Sequence, residues 1–416
     1  MGKTFDFNKM PIADIVNDII IDAVNKGASD IHFDPHDEVL KIRIRVDGIL
    51  QNYADVPNLF KNNLITRIKI ISGMNITETR LPQDGAIKQV LNNLNLDMRV
   101  SSLPTKKGEK IVIRILDYSM SLKGIEYLYF NESNYQKILK MINNPNGIIL
   151  VTGATGSGKS TTVYSFLQKL NVEGVNIITV EDPVEMDIEG ISQVQVNSDI
   201  GLDFSTVLRS ILRQDPNVIM IGEIRDSETA RIAVRASITG HLVLSTLHTN
   251  NSLNTIERLL DMDVERYLLA SALTGIVSQK LARKLCPKCR VKRETTPYEK
   301  KLFKAVIGQD VDFIYVAKGC PECSSGYRGR IAIHEVLLIN QDIRDAISDG
   351  IKKEKLRELV YNSDVITLLQ DGLYKVVGGF TTFEEILKLI ELDDEINDKS
   401  EALKNVAKET FSNNIS

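Results

Sequence analysis

One octet constrains this chain more than any other: Gly153-Ala154-Thr155-Gly156-Ser157-Gly158-Lys159-Ser160, followed by Thr161, is a full G-x-x-x-x-G-K-[ST] motif. It stands between the apolar run Gly147–Thr152, of strand length, and a stretch of helical pattern. Glycines allow backbone N–H groups to turn inward around phosphate oxygens, the lysine brings positive charge to the terminal phosphates, and the Ser160 hydroxyl offers a ligand to Mg²⁺. The octet therefore predicts both a nucleotide cradle, running from Gly153 through Thr155, Gly156, Ser157, Gly158, Lys159 and Ser160 to Thr161, and the α/β fold that carries it.

A cradle by itself hydrolyses nothing, so acids are needed at the tips of neighbouring strands. Ile177–Val180 is followed by Glu181-Asp182-Pro183-Val184-Glu185, and Val218–Ile221 by Gly222-Glu223-Ile224-Arg225-Asp226. Both apolar runs suit parallel strands covered on two faces, and catalytic groups collect outside the carboxyl ends of such strands. Most chains with this cradle carry Asp after the second strand; here Gly222 and then Glu223 stand there. Glu185 and Asp226 also suit helix caps. Two histidines lie in Thr239–Asn250. His241 is equally readable as a hydrogen-bonded structural residue, whereas His248 follows a strand and could reach a phosphate as donor.

The flanks have a different texture. Apolar residues recur at helical spacing from Ile12 to Val24, and Gly27–Asp30 breaks the pattern. Leu40–Val46 alternates, Asp47-Gly48 tolerates the positive φ angles of a tight turn, and Ile49-Leu50 resumes, which is a hairpin signature. A second alternating pair, Leu96–Val100 and Lys110–Leu116, follows. These segments predict a small α+β domain over 1–117, a linker over 118–131, the α/β domain over 132–392 and a polar tail over 393–416.

Composition removes other classes. The chain has 416 residues, 43% apolar and 25% charged, so collagen-like, low-complexity and wholly disordered readings fail. Lys plus Arg number 51 against 55 acids, a net charge of -4, which argues against a general coat for nucleic acid. The N-terminal residues lack the apolar core of a secretory signal, and no apolar run approaches the ~18 residues of a spanning helix. A cytoplasmic location, with membrane roles exercised through partners, is the expectation.

All four cysteines fall into Cys-x-x-Cys pairs, Cys286 with Cys289 and Cys320 with Cys323. Four thiolates can close a tetrahedral Zn²⁺ shell with no open position, the mark of a structural site. The pairs are expected to be joined by a loop that interrupts the α/β domain over 286–323. Redox or iron chemistry, or a zinc ribbon touching nucleic acid through Arg283, Lys284, Lys288 and Arg290, are the competing readings.

The octet, the acidic box Glu181–Glu185, the stretch from Leu208 through Arg213 and Glu223 to Asp226, and the His241–His248 box together resemble the four signatures of the secretion ATPase family. That family includes the type II secretion ATPase GspE and the pilus motors PilB and PilT, and the resemblance runs from about residue 10 to about residue 390. It implies a hexameric, RecA-like P-loop motor domain behind a small PAS-like α+β domain, with ATP and Mg²⁺ as cofactors. Carried over by position, Lys159 and Ser160 bind phosphates and Mg²⁺, Glu181 is the general base, Glu223 supports the metal and His248 senses the γ-phosphate. Arg99 and Arg114 match arginines presented to phosphates by the N-terminal domain, and Arg209 and Arg213 match a second pair beside the metal-binding box.

The tetracysteine module resembles the assembly and secretion branch and not the retraction motors. The resemblance thus implies an ATPase powering pilus assembly or type II secretion, working as a homo-hexamer, peripheral at the inner face of the cytoplasmic membrane through an inner-membrane platform protein. Members of that branch often carry an additional N-terminal docking domain; barely ten residues precede the PAS-like part here, so platform contact is expected to be made differently. No nucleic-acid partner is expected, although a nucleic-acid-handling P-loop motor is the alternative. A nucleotide-gated scaffold is a third reading, disfavoured by the intact acids and arginines.

Overall fold

In the computed structural model the chain divides into two units, residues 1–117 and 118–416. The structure describes residues 5–7, 9–91, 94–116, 124–323 and 325–390. The expected polar tail lies outside the described residues.

The first unit runs α1 (Ile12–Asn25), β1 (Ala28–Pro35), β2 (Val39–Val46), β3 (Ile49–Pro57), α2 (Asn58–Ile71), β4 (Gln83–Leu91), β5 (Leu94–Thr105) and β6 (Gly108–Leu116). Its sheet is antiparallel in the order β3-β2-β1-β6-β5-β4. Asp47 and Gly48 both adopt positive φ, 49° and 83°, which lets β2 turn directly into β3. Alternation then sorts the side chains. Leu40, Ile42 and Ile44 join Ile31, Phe33, Ile111 and Ile113 in a core closed by Ile15 and Ile19 of α1 and by Leu64 and Ile68 of α2. The charged set takes the opposite face, where Arg43 Nε donates to Asp34 at 2.7 Å and Arg114 Nε to Asp30 at 3.0 Å. Arg99 and Arg114 stand directly opposite each other on β5 and β6.

The second unit begins, among described residues, with a 3-10 turn, Ile125–Leu128. Its Ile125 and Leu128 are buried, and Ile125 joins one of the unit's apolar cores, so 124–131 is part of this unit's packing. Then follow α3 (Glu132–Ile142), β7 (Gly147–Thr152), α4 (Lys159–Leu170), β8 (Ile177–Glu181), β9 (Ser192–Gln195), α5 (Phe204–Ile211), β10 (Val218–Ile221), α6 (Ser227–Ile238), β11 (Leu242–Leu247), α7 (Ser252–Asp261), α8 (Arg266–Ala272) and β12 (Leu273–Leu285). Beyond them come β13 (Val291–Glu294), α9 (Pro297–Ile307), β14 (Phe313–Val316), β15 (Tyr327–Leu338), α10 (Gln341–Asp349), α11 (Lys353–Tyr361), α12 (Leu368–Val377) and α13 (Phe383–Leu389).

The large sheet has the order β15-β12-β7-β11-β10-β8-β9. From β12 to β9 neighbouring strands are parallel, and β15 adds an antiparallel edge. β7, β8, β10 and β11 are buried along their whole length, as two covered faces require. Two apolar clusters cover those faces, one gathering α5, α6, α7, α8, α10 and α11 and the other α3 and α4.

The cysteine segment is an insertion between the antiparallel strands β12 and β15, and it is more than the loop expected from sequence. β13 and β14 pair, and α9 lies between them. Leu302 and Phe303 of α9 pack with Ile314, with Ile331 and Ile333 of β15, and with Leu373 of α12 and Ile386 of α13, so the insertion shares a core with the elements around it. A signal for α9 stands in the sequence: Thr296 and Glu299 form a capping box around Pro297, and Gly308 ends the helix at φ 68°.

Candidate active site

Because β7, β11, β10 and β8 are parallel and in register, their carboxyl ends reach one edge of the sheet together. That edge carries the glycine loop, His248, Glu223 and Glu181 in the order of the strands. With ~4.8 Å between neighbouring strands, β7 and β8 are separated by about 14 Å. His248 and Glu223 are therefore nearer the loop than Glu181 is.

The loop turns on Gly153, Gly156 and Gly158, with φ of 148°, 79° and 89°. These angles are open to glycine and strained for other residues. Gly158 immediately precedes α4, so the loop ends at a helix N-terminus with its inherent attraction for anions. Lys159 Nζ donates to the carbonyl oxygens of Gly153 and Ala154 at 2.9 and 3.2 Å. Burial draws its pKa below that of an ordinary lysine, while the negative charge of Glu223 acts in the opposite sense. Ser160 is exposed in the first turn of α4 and Ser157 is buried inside the loop. Thr155 and Gly156 are exposed at the tip, and Thr161 is half-buried behind Ser160. A triphosphate fits this set: a glycine cradle, a helix N-terminus, a lysine and an open hydroxyl.

Glu223 is held in place through its neighbours. Thr246 Oγ1 of β11 donates to the Gly222 carbonyl at 2.7 Å, and Ile224 N to the Thr246 carbonyl at 3.1 Å. The carboxylate accepts from Arg225 through Oε1, and its Oε2 lies 3.3 Å from His248 Nε2. Arg225 reaches on to Asp182 at 3.2 Å. Burial opposes ionisation of Glu223, but Arg225, His248 and Lys159 outweigh it and its pKa falls below the ordinary value. An ionised carboxylate with an imidazole beside it is a reasonable support for a metal or a phosphate-sensing histidine.

Glu181, expected as the general base, is a buried carboxylate. It is 3% exposed, with one oxygen hydrogen-bonded by Tyr164 and the other by Thr179 Oγ1 at 2.6 Å and Gln193 Nε2 at 3.0 Å. These three hydrogen bonds take up three of the roughly four acceptor positions of a carboxylate. Glu181 thereby ties α4, β8 and β9 together. Glu185, in the same box, is half-buried on the loop beyond, and its N–H donates to Tyr164 Oη at 3.1 Å. The sequence assigns the base to Glu181 and offers Glu185 as a helix cap; burial, which separates the two in the structure, is not written in the box itself.

The remaining site residues divide likewise. Asp226 is the cap of α6, accepting from Thr229 N at 2.8 Å. His241 is held by the Ala236 carbonyl at 2.9 Å, the structural option. Arg209 pairs with Glu228 of α6, and Arg213 donates to the Arg209 carbonyl at 2.8 Å and to Ser210 Oγ at 3.2 Å. Both arginines are exposed on the segment following β9. Arg99 and Arg114 belong to the first unit, with Arg114 engaged by Asp30.

The four cysteines come together. Their sulfur atoms lie within 4.8 Å of one another, with Sγ–Sγ distances of 4.0 Å for Cys286–Cys320, 3.6 Å for Cys289–Cys323 and 3.5 Å for Cys320–Cys323. Four sulfurs at the ~2.3 Å Zn–S distance sit about 3.8 Å apart, so the donor set fits a tetrahedral ion of that kind. The basic residues nearby are engaged within the fold. Arg283 binds Glu385, Lys284 donates to Tyr129 Oη at 2.6 Å, Lys288 pairs with Glu322, and Arg290 donates to the Gly379 carbonyl.

A profile of the type II/IV secretion system protein family matches residues 6–388. The chain belongs to that family. Among curated members, the type II secretion system ATPase E of Vibrio cholerae is 42% identical over 380 residues, covering 91% of this chain and 75% of that protein. The type IV pilus assembly ATPase PilB of Myxococcus xanthus is 43% identical over 392 residues, covering 93% and 69%. Among solved structures, the pilus retraction motor PilT with bound ADP superposes with a TM-score of 0.62 at 26% identity, covering 90% of this chain and 96% of that one. As a secretion ATPase family member the chain is an ATP-hydrolysing enzyme, and its α/β fold with a mixed, mostly parallel sheet is that of its relatives. Among the described residues no helix is long and apolar enough to cross a membrane.

Proposed function

We propose that this secretion ATPase is a motor that drives assembly of a type IV pilus or of a type II secretion pseudopilus, using Mg·ATP. The observation that carries the reading is the shared edge on which the glycine loop, Lys159, Glu223 and His248 converge. Lys159 leaves the carbonyls of Gly153 and Ala154 for the terminal phosphates, and the loop's N–H groups hold the rest. Ser160, with Glu223 behind it, would hold Mg²⁺, which supplies neutralisation of the charge developing on the phosphoryl oxygens. His248 donates toward the γ-phosphate, and Glu185 takes the proton of the attacking water. Glu181 fixes the wall against which that water is oriented.

The two-module division is kept, with a PAS-like N-terminal module and a RecA-like motor whose packing takes in residues 124–131. Arg99 and Arg114 reach the phosphates when modules close, so that hydrolysis depends on domain movement. Arg209 and Arg213 complete the charge balance by exchanging their present partners for phosphate. The working form is a homo-hexamer at the cytoplasmic face of the inner membrane, docked on a platform protein, and the tetracysteine module holds Zn²⁺. The internal pairing of Arg283, Lys284, Lys288 and Arg290 favours this over the nucleic-acid motor. Light scattering with and without Mg·ATP, combined with ATPase assays of Arg114→Ala, tests the scheme. Ring formation and a turnover loss of about 10³-fold are expected, the scale of an arginine finger. A monomer with wild-type turnover in that variant would refute it, and DNA-stimulated turnover would favour the alternative.

A further inference from the structure

Where β7 ends and the glycine loop begins, the adjacent strand β12 continues, paired from there on with β15 only. Ser278 is the last β12 residue paired with β7, opposite Thr152. The next residue, Gln279, is 2% exposed and faces the ground the loop has vacated. Its side chain holds two parts of the loop-helix unit at once. Nε2 donates to the Ser157 carbonyl at 2.6 Å, and Oε1 accepts from Thr162 Oγ1 of α4 at 2.7 Å. The amide can adopt only this orientation, because a carbonyl oxygen accepts and cannot donate.

The fit extends to the glycines. A Cβ on Gly153 would stand 2.4 Å from the Gln279 carbonyl oxygen, and one on Gly158 would stand 2.7 Å from Gln279 Nε2. Two glycines of the motif are thus required by contact with this one residue as well as by their φ angles. The carbonyl of Ser157 is satisfied by Gln279 Nε2. With that acceptor engaged, the loop's N–H groups are what it can offer an anion.

We propose that Gln279 is a positioning residue for the phosphate loop, setting its shape for nucleotide through the Ser157 carbonyl and the Thr162 hydroxyl. It touches no substrate and acts through the loop alone. This rests on the nucleotide reading of the site.

The test compares Gln279→Leu, which keeps most of the volume and loses both bonds, with Thr162→Val, which loses one. Binding of Mg·ATP to the full chain, KM and kcat for ATP, and the melting midpoint without nucleotide are measured. Gln279→Leu is expected to weaken nucleotide binding and raise KM roughly ten-fold, the scale of two buried hydrogen bonds, and Thr162→Val by about three-fold. A residue that only stabilised the fold would lower the melting midpoint, or the active fraction and hence kcat, with KM unchanged. That result overturns the proposal. If Gln279→Leu does not fold, Thr162→Val decides alone: an unchanged KM and affinity there overturn the proposal, and a raised KM supports it. Wild-type protein that bound no Mg·ATP would overturn the nucleotide reading itself, whereas a variant that matches a nucleotide-binding wild type overturns only the role of Gln279.

Discussion

Glu223 Oε2 lies 3.3 Å from His248 Nε2, joining the ends of two adjacent parallel strands beside the lysine of the phosphate loop. The pair makes Glu223 the carboxylate best placed to act with Lys159. Glu223→Gln keeps the shape and removes the charge. We expect nucleotide binding to stay within a few-fold of wild type and turnover to fall by about 10² or more, the scale of a lost acid-base or metal-supporting group. Unchanged hydrolysis in this variant would sink the assignment.

The two glutamates of the acidic box should separate by experiment. Glu185→Gln is expected to abolish turnover while leaving nucleotide bound. Glu181→Gln should lower the melting midpoint, because Tyr164, Thr179 and Gln193 all lean on its oxygens, and should retain turnover within about ten-fold if its role is to support the wall of the site. The opposite ranking would restore Glu181 as the base.

Removal of the metal should loosen a module and leave the motor folded. One Zn²⁺ per chain is expected by elemental analysis, and Cys289→Ser should release it. Phe303 and Ile314 of the insertion pack into a core shared with β15, α12 and α13, which anchors the segment without metal, so the expected loss is a lower melting midpoint and faster proteolysis between 286 and 323. Global unfolding, as in a small zinc finger, is not expected. A metal-free wild-type protein of full stability would exclude the zinc assignment.

Acid should destabilise the second unit through His334. Its ring is wholly buried, lies against Phe130 at 3.9 Å between centroids with the planes tilted by 32°, and leaves both nitrogens without a hydrogen-bond partner. Burial first, and then the nearby Lys375 charge, hold its pKa well below the ordinary value. The unfolded chain takes up a proton below about pH 6.5 that the folded one refuses, so stability falls as pH drops, by at most ~1.4 kcal/mol per pH unit. His334→Phe should remove that contribution. From pH 7 to pH 5 the unfolding midpoint of the wild type should fall more steeply than that of the variant, and parallel lines would exclude His334 as the cause.

Much of this architecture was legible in the residues because local rules dictated it. Alternation and Asp47-Gly48 specified the β2–β3 hairpin, and two-sided apolar runs specified β7, β8 and β10. The octet specified its own loop, since φ freedom and a following helix are properties of the glycines and their neighbours. The helix α9 inside the cysteine insertion was also encoded, in Thr296, Pro297, Glu299 and Gly308, and a capping search would have found it.

Other features depended on contacts between distant residues, which no local pattern records. Glu181 and Glu185 stand in one acidic box, and only the fold shows that Glu181 is the one buried against Tyr164 and Gln193. Gln279 carries no motif, yet strand order sets β12 beside β7 and delivers its amide to a loop 122 residues away. Two Cys-x-x-Cys pairs announced a metal, but the antiparallel pairing of β12 with β15 brings four sulfurs to tetrahedral spacing. The sequence by itself determined the chemistry available, because residue type fixes charge, donors and backbone freedom. Tertiary structure decided which of those groups are open to a substrate and which are buried as supports, because solvent access and distance are set by how the strands are ordered.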